Sequence, residues 1–162
     1  MVMNYSCRWN FMLDQPMDPL TDEEALKQYK ELGTITFCQR NAKGKTALVC
    51  EISPKIDPVK VWFFDELVRV TNCYVFSRYD EKLFLGQTAT YSYKGNQRVS
   101  VSDADKVMIY YFKPDSDVVT MLENIEGAAS KVKSERHGVD VSGNWEKIPE
   151  FGQWESLIRF ER

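Results

Sequence analysis

His137 is the sole histidine of the chain, so a nucleophile-histidine-acid triad or an imidazole general base has to use it. Glu135 and Asp140 lie close enough in sequence to orient its ring, but the neighbouring residues are polar, and the plainer expectation is a surface histidine in a loop. A mechanism needing two histidines is excluded. Cys50 and Cys73 become nucleophiles only where a base lowers the thiol pKa, and neither has a histidine near it in sequence. Their apolar strand contexts predict small core residues instead. Asp103 with Asp105, and Asp115 with Asp117, place carboxylates two residues apart. Such a pair holds a divalent cation only when further oxygen ligands join it, and the same spacing arises from caps and turns.

Arg78, Tyr79, Tyr91, Tyr93, Lys94 and Arg98 interleave bases with aromatics, the combination that binds single-stranded nucleic acid. The aromatic RNA-binding signature is absent, and a net charge of −3 works against phosphate attraction. The acids are unevenly spread. Residues 14–24 carry five acids and no base, residues 25–102 carry twelve Lys or Arg against seven acids, and residues 103–126 carry six acids against Lys106 and Lys113. Asp14, Asp18, Asp22, Glu23, Asp103, Asp105, Asp115 and Asp117 are therefore the candidate partner-binding residues, as a surface complementary to a basic protein. No cofactor is implied.

These groups must be positioned by a sheet. In residues 73–112, Ala89, Tyr91 and Tyr93 alternate with Thr88, Thr90 and Ser92. Pairing Tyr91 with Val101 and Tyr93 with Val99 predicts a hairpin around residues 95–97. A second hairpin joins residues 73–78 to 83–87 with Phe76 opposite Leu85. A third joins 34–40 to 46–52, with Ile35 opposite Cys50, Phe37 opposite Leu48, Thr36 opposite Val49 and Cys38 opposite Ala47. Residues 4–11 suit an edge strand with Tyr5, Cys7 and Trp9 on one side. Residues 106–112 are almost continuously apolar, which predicts an interior strand covered on both faces.

Thr21 and Glu24 form a capping box, followed by a stripe of Ala25, Leu26, Tyr29 and Leu32 and a left-handed stop at Gly33. Asp57 and Pro58 resemble a helix start, and Val61, Phe64, Leu67 and Val68 then lie on one side of a helix over 58–72. The rival reading there is a strand, because residues 59–64 are β-branched and aromatic. Val118, Leu122, Ile125, Ala129 and Val132 predict a helix over 117–133, weakened at Gly127 by about 1 kcal/mol. Residues 134–143 should be a loop. Trp145, Ile148, Phe151, Trp154, Leu157, Ile158 and Phe160 carry too much apolar area to leave in water, so the tail should dock on the domain.

At 162 residues with 43% hydrophobic and 28% charged, one folded domain spanning 1–162 is expected. The fold class is α+β: a mainly antiparallel sheet of six to eight strands with two or three packed helices. Residues 1–13 lack the apolar core of a signal peptide, and no apolar run is long enough for a membrane helix. A cytoplasmic address is expected, with Cys7, Cys38, Cys50 and Cys73 reduced.

No set of residues names a reaction, and a binding module suits the chain better than an enzyme. In general character, being small, acidic in patches and α+β, the chain is similar to the immunity proteins of bacterial toxin systems. That resemblance implies a cognate, basic protein toxin as partner, an acidic face covering its active site, and no membrane. The alternatives are a small enzyme or nucleotide-handling protein using His137 with Asp103 and Asp105, and an RNA-binding adaptor using the Tyr91 and Tyr93 face.

Overall fold

Period-two alternation of apolar residues dominates the chain and, among the described residues, becomes one open sheet of eleven antiparallel strands. The computed structural model describes residues 3–31, 33–53, 55, 58–125 and 132–161. The strands are β1 (Met3–Asn10), β2 (Gln15–Leu20), β3 (Ile35–Arg40), β4 (Thr46–Ile52), β5 (Val59–Phe64), β6 (Val70–Tyr79), β7 (Lys82–Ser92), β8 (Lys106–Tyr111), β9 (Val119–Ile125), β10 (Val132–Arg136) and β11 (Trp145–Lys147). From β3 to β10 each strand pairs with the next, while β1 lies between β2 and β3, and β11 runs beside the start of β7. Helix α1 (Asp22–Lys30) follows β2, and α2 (Glu155–Ile158) is a single turn near the end. The mainly antiparallel character is as expected, with more strands than the six to eight anticipated. Among the described residues no helix is long and apolar enough to cross a membrane.

One row of paired residues crosses the first face: Tyr5, Phe37, Cys50, Val61 and Tyr74. All five are buried in the main core. The cover is α1, through Ala25 and Tyr29, and the tail, through Trp154 and Leu157. Trp154 is fully buried, stacks on Phe37 with ring centroids 5.0 Å apart and donates its Nε1–H to the Tyr5 hydroxyl at 3.3 Å. Tyr29 donates its hydroxyl to the Pro149 carbonyl at 2.7 Å, and burial pushes its pKa up to about 12. The tail therefore docks as its aromatic content requires.

The opposite face carries the row Cys38, Val49, Trp62, Cys73, Ala89, Ile109 and Leu122. Trp9, Cys38 and Val49 form a smaller core there with Trp62 and Phe64. Cys38 and Cys50 thus face opposite ways, as expected, and all four cysteines are free thiols.

Where sequence and structure differ, local geometry gives the reason. Residues 58–72 are β5, a tight turn and the start of β6, which is the rival strand reading; Val59, Val61 and Phe63 point into the main core at period two. Asp57 lies outside the described residues. The helix expected over 117–133 is instead the β9 and β10 pair, whose ladder against β8 outweighs the helical spacing. Ala129 of that stripe, and Gly127, lie outside the described residues. Tyr91 pairs with Val107 rather than Val101. Residues 93–105 form a loop, closed at its base where Asp105 accepts the Lys94 amide at 2.6 Å and holds its ammonium at 3.3 Å.

The β3 and β4 register is offset by two from the expected one, with Ile35 opposite Ile52, Phe37 opposite Cys50, Thr36 opposite Glu51 and Cys38 opposite Val49. An even offset keeps every side chain on its face, and a bulge at Gln39 and Arg40 absorbs the remainder. The Phe76 and Leu85 pair is as expected. Strand β1 is interior rather than an edge, and Tyr5 and Trp9 belong to different cores instead of sharing a side. Strand β8 is interior in the sheet, yet residues 106–110 are only half-buried, so neither face is fully covered. The capping box forms as expected. Gly33 is not left-handed; a Cβ there would run into the Gln28 side chain, which is why glycine suits the site. Leu32 lies outside the described residues.

Candidate functional site

Each candidate group is placed by its element. His137 follows β10 and is exposed. Its expected orienting carboxylates are engaged elsewhere: Glu135 with Lys133 at 3.5 Å, and Asp140 as acceptor of the Ser142 amide at 2.8 Å. That amide bond holds the Asp140 carboxyl below its usual range. Among the described residues no group of three or more His, Cys, Asp or Glu stands together as a metal site would require. Cys50 and Cys73 are buried in strands. Desolvation pushes both thiols up, Cys73 to about 11, so neither is a thiolate at neutral pH.

The acidic residues fall into three places. Asp14 closes the β1 and β2 turn with φ +52°, Asp18 pairs with Arg8 at 3.6 Å, and Asp22 and Glu23 occupy the exposed first turn of α1. Asp103 and Asp105 lie on the 93–105 loop, where Asp103 accepts the Ser100 amide at 3.1 Å as part of a second capping box. Asp115 is exposed between β8 and β9, and Asp117 accepts the Gly138 amide at 3.3 Å. Several of the eight therefore serve local structure as well as carrying surface charge.

The base and aromatic set is likewise built into the fold. Arg78 lies 3.8 Å from Glu81 and donates to the Asp80 carbonyl at 2.7 Å. Tyr93 donates to the Val70 carbonyl at 2.8 Å, and its ring lies 4.8 Å under the Arg69 guanidinium. Burial, then Tyr91, push its pKa up to about 12. Arginine covers one face of that ring, which removes it as a stacking platform for a base.

What the sequence did not signal is the meeting of the β1 and β2 turn with the 93–105 loop. The Arg98 guanidinium donates to the Phe11 carbonyl at 3.1 Å, across the second face of the sheet. Phe11 sits edge-on to Trp62 at 4.9 Å and beside Phe64 at 6.3 Å. Between turn and loop lies a cleft of about 420 Å³, lined chiefly by Phe11, Trp62, Phe64, Val70, Tyr91 and Val99 with Arg98 among them. Met12, 85% exposed, belongs to its lining, and Leu13, 62% exposed, projects beside it. Asp14 and Asp103 each lie two residues along the chain from a lining residue, Met12 and Val101, but no acid lines the cleft among the described residues. The available signal was three successive apolar residues, Phe11, Met12 and Leu13, at a point where the pattern demands a polar turn. Comparison with protein-family models, with curated proteins and with solved structures finds no match to this chain.

Proposed function

We propose that the protein is a non-catalytic binder of another protein, an inhibitor of the immunity-protein kind that covers the active site of a basic toxin domain. The observation that carries this reading is the exposed turn of Met12 and Leu13, standing out from the β1 and β2 hairpin with Asp14 beside it and Asp22 and Glu23 exposed at the start of α1. An exposed apolar turn next to a carboxylate, with further exposed acids at the opposite end of β2, suits a protein contact: the apolar groups hold the complex and the acids speed encounter with a basic surface. The mechanism is stoichiometric occlusion, requiring no bond-making by this chain.

The test is calorimetric titration against a candidate basic toxin domain, with toxin activity assayed in parallel. A one-to-one complex that abolishes activity is expected. Met12→Asp with Leu13→Asp should weaken it at least tenfold, Asp22→Lys with Glu23→Lys should slow association, and His137→Ala should change neither. Absence of both complex and inhibition would remove the proposal.

A further inference from the structure

We infer that the cleft between the β1 and β2 turn and the 93–105 loop is a binding site for a small amphipathic carboxylate, with an apolar body against Trp62, Phe64, Val70 and Tyr91 and its headgroup on Arg98. This goes beyond the protein contact, since its ligand is a small molecule and, of the contact residues, only Met12 lines the cleft. A volume of about 420 Å³ falls within the roughly 300–1,000 Å³ typical of ligand sites, which are mostly apolar with a few convergent polar groups.

The charge arrangement selects the headgroup. Arg98 makes no ion pair among the described residues, and its one hydrogen bond goes to the Phe11 carbonyl, which leaves most of its donors open. Asp103 is engaged by the Ser100 amide and Asp105 by Lys94, and neither they nor Asp14 are among the residues that line the cleft. No other Lys or Arg lines the cleft. A single guanidinium fork matches one planar carboxylate in a bidentate pair, whereas a doubly charged phosphate calls for more positive charge than the site holds. The same guanidinium fastens the loop to the turn, so a headgroup bound there sits where the two walls meet.

The test uses dodecanoate and dodecanol, matched in chain length and both kept below aggregation, titrated into the intact protein by calorimetry with Trp62 fluorescence as a local reporter. Dodecanoate should bind at one site at least tenfold more tightly than dodecanol and change the Trp62 signal, which Trp62→Phe removes. Arg98→Gln should erase the preference for the acid, and Arg98→Lys should restore part of it. Should Arg98→Gln not fold, the comparison of acid with alcohol on the unaltered protein decides the matter alone. Equal affinity for acid and alcohol, binding with no Trp62 response, or no binding of either overturns the inference.

Discussion

Thr46 carries its hydroxyl into a fully buried position, and its Oγ meets no partner among the described residues. A buried donor left unmade costs about 1–3 kcal/mol, while an apolar group of the same shape avoids that cost. Thr46→Val should therefore raise stability by about 1 kcal/mol in urea unfolding. A comparable loss would show that the hydroxyl is satisfied in solution. The buried thiols illustrate what was legible at this scale. Cys50 beside Val49 and Cys73 beside Tyr74 sit in apolar strand contexts, and that context was enough to place them inside as core residues. The role of Arg98 was not legible, because its partner is the Phe11 carbonyl, a backbone atom 87 residues away that no side-chain pattern marks.

The turn between β5 and β6 depends on one carboxylate. Asp65 accepts the Leu67 amide at 2.9 Å and the Arg69 amide at 3.0 Å, and its other oxygen lies 2.7 Å from the Arg69 guanidinium. Arg69 continues to the Gly95 carbonyl at 2.6 Å, tying this turn to the 93–105 loop. Burial pushes the Asp65 carboxyl up, but the Arg69 and Leu67 bonds outweigh it and leave it below its ordinary value of 3.8. A carboxyl lowered on folding stabilises above its unfolded pKa, and that contribution disappears as pH falls through the folded value. Asp65→Asn should cost about 1–2 kcal/mol at pH 7, and its gap from the unaltered protein should begin to narrow as pH falls toward 3.8 and close only below the lowered folded value. A gap independent of pH in denaturant melts would mean that the charge does not matter. This turn also explains why residues 58–72 read as a helix. Val61, Phe64, Leu67 and Val68 have helical spacing, and what overrides it is the Asp65 turn with Val68 at φ +59°. Helix α1 was legible because Thr21 and Glu24 encode their own cap locally. Strand β2 was not, since Pro16 and Pro19 look like loop residues until β1 pairs with them.

Across the whole sheet, burial falls away from one side to the other. The first-face row is closed at Phe37, Cys50 and Val61 and then continues through Thr88, Tyr110 and Met121, which are only half-buried. Strand β8 is the sharpest case, since its near-continuous apolar run suits a strand covered on both faces, yet α1 and the tail pack over β1 to β7 only. Both sides of β8 are hydrogen-bonded to neighbours, so its amides are paired as fully as those of β4. The difference lies in the apolar contact that opening must break. Local opening costs less where few buried apolar contacts hold the strands, while the closed core opens only with global unfolding. Amides of β8 and β9 should therefore exchange with solvent deuterium roughly a hundredfold faster than those of β4 and β5, a gap of about 3 kcal/mol in opening free energy. Added urea should accelerate exchange in β4 and β5 with the full unfolding slope and leave β8 and β9 almost unresponsive, because little surface is uncovered when they open. Uniform protection and a common urea slope across all four strands would instead mean that the sheet unfolds as one cooperative unit, with the half-buried rows contributing as much as the closed core.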